Sequence, residues 1–142
     1  MSAPAPQPQK ISIPGTLSSI TKPWSPKLIA TLNSSHDVKL AKLQGEFVWH
    51  SHPNTDELFY CVSGEFTIRF REDPTVALDD VVMKTGDMLV IPRSVRHCPA
   101  VAEGIEACAM IIELGGTVNT GDADGEGVGR VRNEVEDVRG RV

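Results

Sequence analysis

The feature that most constrains this chain is the shortness of its apolar segments, which turn residues interrupt throughout. The sequence contains 12 glycines and 10 prolines among 142 residues, about twice what a helix-rich domain tolerates. No segment of about 11 residues or more carries the helical periodicity of roughly 3.6 residues. Short strands separated by turns every roughly 8–12 residues are typical of antiparallel sandwiches and barrels. The chain is therefore predicted to be an all-β domain.

Eight short segments are predicted as strands, because their apolar residues alternate or form short runs between turn residues. The clearest alternation is in residues 66–70, where Phe66, Ile68 and Phe70 share one face. The predicted strands are 28–32, 38–43, 46–52, 58–62, 66–70, 81–83, 88–92 and 107–113.

Composition divides the chain into three regions. Residues 1–27 are Pro-rich and are predicted to be an irregular N-terminal arm, in which Trp24 docks onto the domain's own sheet or onto a partner. Residues 28–120 are predicted to form the β-barrel. Residues 121–142 are predicted to be a C-terminal tail, and its last part, in which valine alternates with charge, is either an edge strand or a helix formed on docking.

Charge and composition exclude several classes of partner. The net charge is −5 without a basic cluster, and aromatic residues make up only 5%, so neither nucleic acid nor a membrane surface is an expected partner. No apolar run approaches the about 18 residues of a membrane span, and the N-terminus lacks the pattern of a signal peptide. The three cysteines include no CxxC pair, which favours reduced thiols and a cytoplasmic location.

Three of the four histidines lie in two short segments that a β fold can bring together. His50 and His52 are two residues apart in a predicted strand, so both side chains are expected on one face. Glu57 opens the next strand, and His97 follows the strand that ends at Pro92. Three imidazole nitrogens and a carboxylate suit Fe, Mn, Co, Ni, Cu or Zn. The alternative is three partly buried structural histidines and a surface glutamate.

Two segments resemble the conserved motifs of the cupin family. GEFVWHSHPNTDELFYCVSG, residues 45–64, is similar to the first cupin motif, with His50, His52, Glu57 and Gly64 at the matching positions and Gly45 one residue too close. GDMLVIPRSVRH, residues 86–97, is similar to the second motif through Gly86, Pro92 and His97. Ser94 replaces the inner glycine of this motif, and Val101 replaces its terminal asparagine. The subtype resembles the short single-domain cupins labelled mannose-6-phosphate-isomerase-like.

The resemblance implies a small antiparallel jelly-roll barrel that binds one divalent transition metal (Fe, Mn, Ni or Zn) through His50, His52, Glu57 and His97. It implies a metal-dependent enzyme, a dioxygenase or decarboxylase acting on a small organic acid or phenol. The alternatives are a metal-dependent isomerase or lyase, and a non-catalytic small-molecule-binding protein. No catalytic residue beyond the metal centre is predicted.

Short cupins commonly pair, so a homodimer is also expected. Phe47 and Trp49 have the opposite parity to the histidines and are predicted to face outward, onto the N-terminal arm or onto a second subunit. In the second case they would form the dimer surface together with Trp24. Phe59 and Cys61 share the parity of Glu57 and are predicted to point inward.

Overall fold

The structure is a computed structural model that describes residues 4–5, 7–125 and 127–141. These residues form two short helices and nine strands in chain order. The elements are α1 (Ile13–Ser18), β1 (Lys27–Leu32), β2 (His36–Leu43), β3 (Glu57–Ser63), β4 (Glu65–Arg69), β5 (Val81–Lys84), β6 (Met88–Ile91), β7 (Cys98–Ala100), β8 (Ala107–Leu114), α2 (Val128–Val131) and β9 (Glu136–Asp137).

The strands of the described residues are arranged in two sheets. The larger sheet has the order β6-β3-β8-β2-β1-β9, and the smaller has the order β5-β4-β7. All pairs are antiparallel except β1 with β9. This arrangement confirms the predicted all-β jelly roll, with the strands hydrogen-bonded in two sheets rather than in one closed ring.

The main core lies between the two sheets and follows from the alternation of each strand. Phe66 and Ile68 of β4 meet Phe59 and Cys61 of β3, and all four side chains are at most 3% exposed. The inward orientation predicted for Phe59 and Cys61 is therefore confirmed. Burial of this apolar surface is the largest favourable contribution to folding.

A second apolar cluster forms on the outer face of the larger sheet. Val38 and Leu40 of β2 face outward and are covered by Ile20, with Ile13 and Leu17 of α1 packed against the cluster. Ser12 caps α1 by accepting a hydrogen bond from the Gly15 backbone, 3.0 Å away. Part of the predicted irregular arm is thus a helix that covers the sheet.

The C-terminal residues also contact the domain. β9 pairs in parallel with β1, as Lys27 and Leu28 align with Glu136 and Asp137, and Val138 joins the outer cluster. The tail therefore supplies an edge strand, and it also contains the short helix α2, so both of its predicted forms occur. The domain bounds given above stay a prediction.

The predicted strand at 46–52 is wrong. This segment is extended but makes only isolated bridges, from Glu46 to Ala100 and from His50 to His97. The short strand β7, which was not predicted, lies directly after His97. No helix in the described part of the chain has the length and apolar character needed to cross a membrane.

Candidate metal centre

The structure brings together the four residues that the sequence singled out. One potential ligand atom from each of His50, His52, Glu57 and His97 lies within 4.8 Å of every other. All four side chains are buried, at 1–4% exposure. Glu57 begins β3, while the three histidines lie outside the named strands.

His50 and His97 are placed by a direct backbone connection between their segments. The His50 amide donates to the His97 carbonyl at 3.0 Å, and the His97 amide donates to the His50 carbonyl at 2.9 Å. This antiparallel bridge sets the two imidazole rings 4.3 Å apart between centroids. A complete strand at 46–52 is therefore not required to align the two rings.

The same local hydrogen bond orients both rings. Nδ1 of His50 lies 2.9 Å from the Val48 carbonyl, and Nδ1 of His97 lies 2.9 Å from the Val95 carbonyl. A carbonyl only accepts, so each Nδ1 carries the proton and donates. In the neutral imidazole, Nε2 then presents a lone pair to the centre, as in histidines that ligate a metal.

The atoms that converge at the centre are mostly acceptors. Nε2 of His97 lies 3.0 Å from Glu57 Oε1, and Nε2 of His52 lies 3.4 Å from Glu57 Oε2. His52 Nε2 is buried and has no hydrogen-bond partner among the described residues. Lone pairs packed this closely are stabilised by a cation between them, a proton in the metal-free protein or a metal ion, and the three imidazoles and the carboxylate fit a divalent transition metal.

The ionisation of two of these groups also suits a metal. Burial, followed by the charge of His97, lowers the pKa of His50 to about 3, so this imidazole is neutral near pH 7. Burial opposes ionisation of Glu57, but the neighbouring imidazoles of His52 and His97 hold its pKa well below the ordinary value. Neutral imidazole and ionised carboxylate are the forms that bind metal.

The loop after β8 holds the segment that carries His52. The Asp122 carboxylate accepts hydrogen bonds from the Ser51 amide at 2.6 Å and from the Ser51 hydroxyl at 2.8 Å. The Asp122 amide donates to the Ser51 carbonyl at 3.1 Å. On the other side, the Ser94 amide donates to the His52 carbonyl at 3.0 Å, and Ser94 adopts the positive φ of 68° expected where the cupin motif has glycine.

A small cavity between the sheets adjoins two of the four residues, His50 and Glu57. Its volume is about 40 Å³, and His50 and Glu57 form one part of its wall. Most of the remaining wall is apolar and consists of Trp24, Pro26, Ala41, Leu43, Phe47, Phe59, Pro99 and Ile111. About 10–15 Å³ by this measure accommodates one water, so the cavity suits a ligand of a few heavy atoms.

Two charged residues in the cavity wall were missed by the sequence analysis. Lys39 on β2 and Glu113 on β8 are each 2% exposed, and Nζ of Lys39 lies 3.0 Å from Glu113 Oε1. Burial, followed by the negative charge of Glu57, raises the pKa of Glu113 to about 9. The sequence does contain one indication for Lys39. It alternates along β2 with Ala41 and Leu43, so its side chain is expected on the same inward face.

The predicted outward orientation of Phe47 is wrong, but its predicted contact with the N-terminal arm is confirmed. Phe47 is 6% exposed and its ring centroid lies 4.8 Å from that of Trp24, which is 8% exposed. The two rings pack in the main core of the same chain and are not available as a dimer surface. Trp49 is partly exposed, with the Arg69 guanidinium 5.4 Å from its ring centroid.

Comparison with known proteins identifies similar sequences and folds. A family model described as a cupin domain matches residues 37–113, more than half of the chain. Uncharacterized protein YdbB of Bacillus subtilis (strain 168) is 41% identical over 64 residues, 45% of this chain and 52% of that protein. The chain thus spans about half the length of this curated relative.

Solved structures show the same fold. A cupin-2 domain protein from Shewanella frigidimarina is 38% identical, with a TM-score of 0.63 over 72% of this chain and 91% of that one. Protein NMB1881 from Neisseria meningitidis is 27% identical, with a TM-score of 0.63 over 75% of this chain and 99% of that one.

Proposed function

Because the chain belongs to the cupin family, we propose that it is a metal-dependent enzyme, a dioxygenase or decarboxylase acting on a small organic acid or phenol. His50, His52, Glu57 and His97 would hold one divalent transition metal ion. The observation that carries the proposal is that these four buried side chains converge and that two of them, His50 and Glu57, line a small, mainly apolar cavity. Such a cavity gives a small molecule a place beside the metal.

The ion, when bound, supplies a Lewis acid for substrate oxygen atoms and, in the case of iron, a redox centre. The chain itself does the positioning. The bridge between His50 and His97 holds two ligands in place, and the ionised Glu57 neutralises part of the metal's charge. The rings of Phe47, Phe59 and Trp24 line the cavity and contribute to its apolar wall.

A sugar-phosphate isomerase fits the site less well. A phosphate group needs several cationic donors at the cavity. Arg93 and Arg96 lie outside the cavity and face acidic partners on the surface, Asp56 at 3.9 Å and Glu72 at 2.6 Å. The cavity of about 40 Å³ also suits a smaller ligand. The mannose-6-phosphate-isomerase-like subtype, the homodimer and the cytoplasmic location stay predictions.

The first test is elemental analysis of the untagged protein beside a His50→Ala/His97→Ala double variant. We expect about one equivalent of Fe, Mn, Ni or Zn in the wild-type protein and loss of this metal in the variant. The matched control is His36→Ala, since His36 is exposed and, among the residues that the structure describes, its side chain bonds only with the neighbouring Ser35. Equal metal content in all three proteins, or none after reconstitution, would refute the site.

Activity screens then test the enzyme. Oxygen consumption with catechols and small keto acids is the expected outcome for the iron form, and release of carbon dioxide from small acids is the expected outcome for the other metals. A fully loaded protein that turns over none of these substrates would contradict the enzyme proposal and leave a binding protein.

A further inference from the structure

We propose that Lys39 determines substrate specificity by binding an acidic group of the substrate inside the cavity, so that the substrate is a small organic anion. This inference rests on the proposed function, because it concerns the ligand of the same site. It assigns a role to a residue that neither the cupin motifs nor the metal centre includes.

The position of Lys39 is the first argument. Lys39 lies on β2 with its side chain directed between the sheets, like Ala41 and Leu43. It lines the same cavity as His50 and Glu57, yet it is not among the four converging residues. A substrate held at the metal would therefore meet the ammonium group at another part of the cavity wall.

The hydrogen bonds of this cluster leave room for a ligand. The Lys39 ammonium donates to Glu113 Oε1 at 3.0 Å and to the Thr117 carbonyl at 3.3 Å. An ammonium group has three donors, so one N–H remains. Oε2 of Glu113 and Oδ1 of Asn119, both in residues of the cavity wall, are buried without a partner among the described residues. Asn119 Oδ1 and an ionised Glu113 accept hydrogen bonds, so an anionic oxygen of the ligand pairs with the remaining N–H of Lys39.

The charge of the loaded cavity is the second argument. A divalent ion with Glu57 leaves a net charge of about one positive unit, to which Lys39 adds one more. Glu113 removes one unit if ionised and none if protonated, so the total stays positive in either state. An apolar cavity strengthens such a field. A carboxylate, phenolate or enolate therefore fits better than a neutral ligand of the same shape.

Burial of Lys39 also argues for a role in binding. Removing an ammonium group from water costs several kcal/mol, and an apolar pair of similar volume is often at least as stable as a buried ion pair. On the neighbouring strand, the inward positions Ala107 and Ala109 are apolar and fully buried. The stability of the core alone thus gives no reason for a lysine at this position.

The test measures binding of two small probes of equal size, glycolate and glycolamide, to the Co²⁺-loaded full-length protein by visible absorption. We expect Lys39→Met to weaken glycolate binding by at least about tenfold, the effect of one lost charge-assisted hydrogen bond, and to leave glycolamide binding nearly unchanged. The control is Lys42→Met on the same strand, because the ammonium of Lys42 lies 3.8 Å from the exposed Glu106 carboxylate.

A second variant guards against loss of folding. Lys39→Met leaves Glu113 without its buried partner, so Lys39→Met/Glu113→Gln is measured beside it, with the same loss of glycolate binding expected. Glycolate affinity equal to wild type in the variants that fold would overturn the role of Lys39. Cobalt content, determined on each sample, separates this result from failure of the metal site, in which the wild-type protein itself would not retain the ion.

Discussion

At the scale of single residues, Gly121 lies so close to the candidate metal centre that a side chain at this position would clash with it. A Cβ atom at this position would lie 2.2 Å from the Ser51 carbonyl oxygen and 3.0 Å from His52 Nδ1. Its φ of 52° is also in the left-handed region, which disfavours a side chain. At Gly121 the loop after β8 therefore lies directly against His52, one of the four candidate ligands.

We expect Gly121→Ala to weaken metal binding by about tenfold or more, because His52 or the loop must shift. The measurement is competition for Co²⁺ against a chelator of known affinity. Gly125→Ala is the matched control, since Gly125 also has a positive φ, 86°, but a Cβ there would contact nothing within 4 Å. Equal loss in both variants would show that backbone strain, and not the contact with His52, is responsible.

The four candidate ligands could be found from the sequence because each belongs to a short motif, His97 to the one at residues 86–97 and the other three to the one at residues 45–64. His50, His52 and Glu57 lie within eight residues of one another, and a motif preserves that spacing even where the strand assignment is wrong. Lys39 and Glu113 are 74 residues apart. Each alone resembles a polar residue of an ordinary strand, and only the pairing of β2 with β8 brings them together.

At the scale of elements, the segment before β1 forms part of the site. Trp24 is anchored by its amide to the Lys42 carbonyl at 2.9 Å and by its indole N–H to the Gln44 carbonyl at 2.8 Å. Its ring covers Phe47, which in turn contacts His50 edge-on, with 5.1 Å between ring centroids. Trp24 of the predicted arm is thus connected to the candidate ligand His50 through the ring of Phe47.

Trp24→Ala should lower the free energy of unfolding by about 3–5 kcal/mol, as expected for removal of a buried aromatic ring, and should weaken glycolate binding by opening the cavity. Urea unfolding and probe binding check the two effects. Trp49→Ala, which removes a partly exposed ring outside the cavity, should change both much less. If Trp24→Ala binds glycolate with unchanged affinity, Trp24 does not contribute to the binding site.

Sequence patterns identified the strands of the two sheets better than the elements beside them. Alternation holds for β4, where one face is buried and the other is not. The 46–52 segment alternates as well, but Phe47 and His50, of opposite parity, are both buried. The helix α1 has only six residues, too few to show a helical period. The helix is held against β2 by the outer apolar cluster, in which Ile20 packs on the sheet. The sequence near α1 does not predict this contact between distant residues.

At the scale of the whole molecule, burial of the candidate ligands makes the stability of the fold depend on pH. The pKa of His50 is lowered from 6.5 to about 3, first by burial and then by His97. Between these two values the unfolded chain binds a proton that the folded protein does not, so acid favours unfolding. The lowered pKa of Glu57 acts in the same direction at lower pH.

The metal-free protein should therefore lose stability as the pH falls below about 6.5, by up to about 1.4 kcal/mol per pH unit from His50. Urea unfolding at a series of pH values gives this slope. His50→Gln removes the titrating group and should make the slope shallower in the same range. A slope equal to that of the wild-type protein would show that His50 does not contribute.

The backbone bridge between His50 and His97 has a consequence for coordination chemistry. The two imidazoles belong to one pair of hydrogen-bonded residues, and each ring is tied to a carbonyl two residues before it. If an ion is bound here, the main chain sets the spacing of these two donors. We then expect substitutions in the cavity wall to change which molecule reaches the ion without changing that spacing.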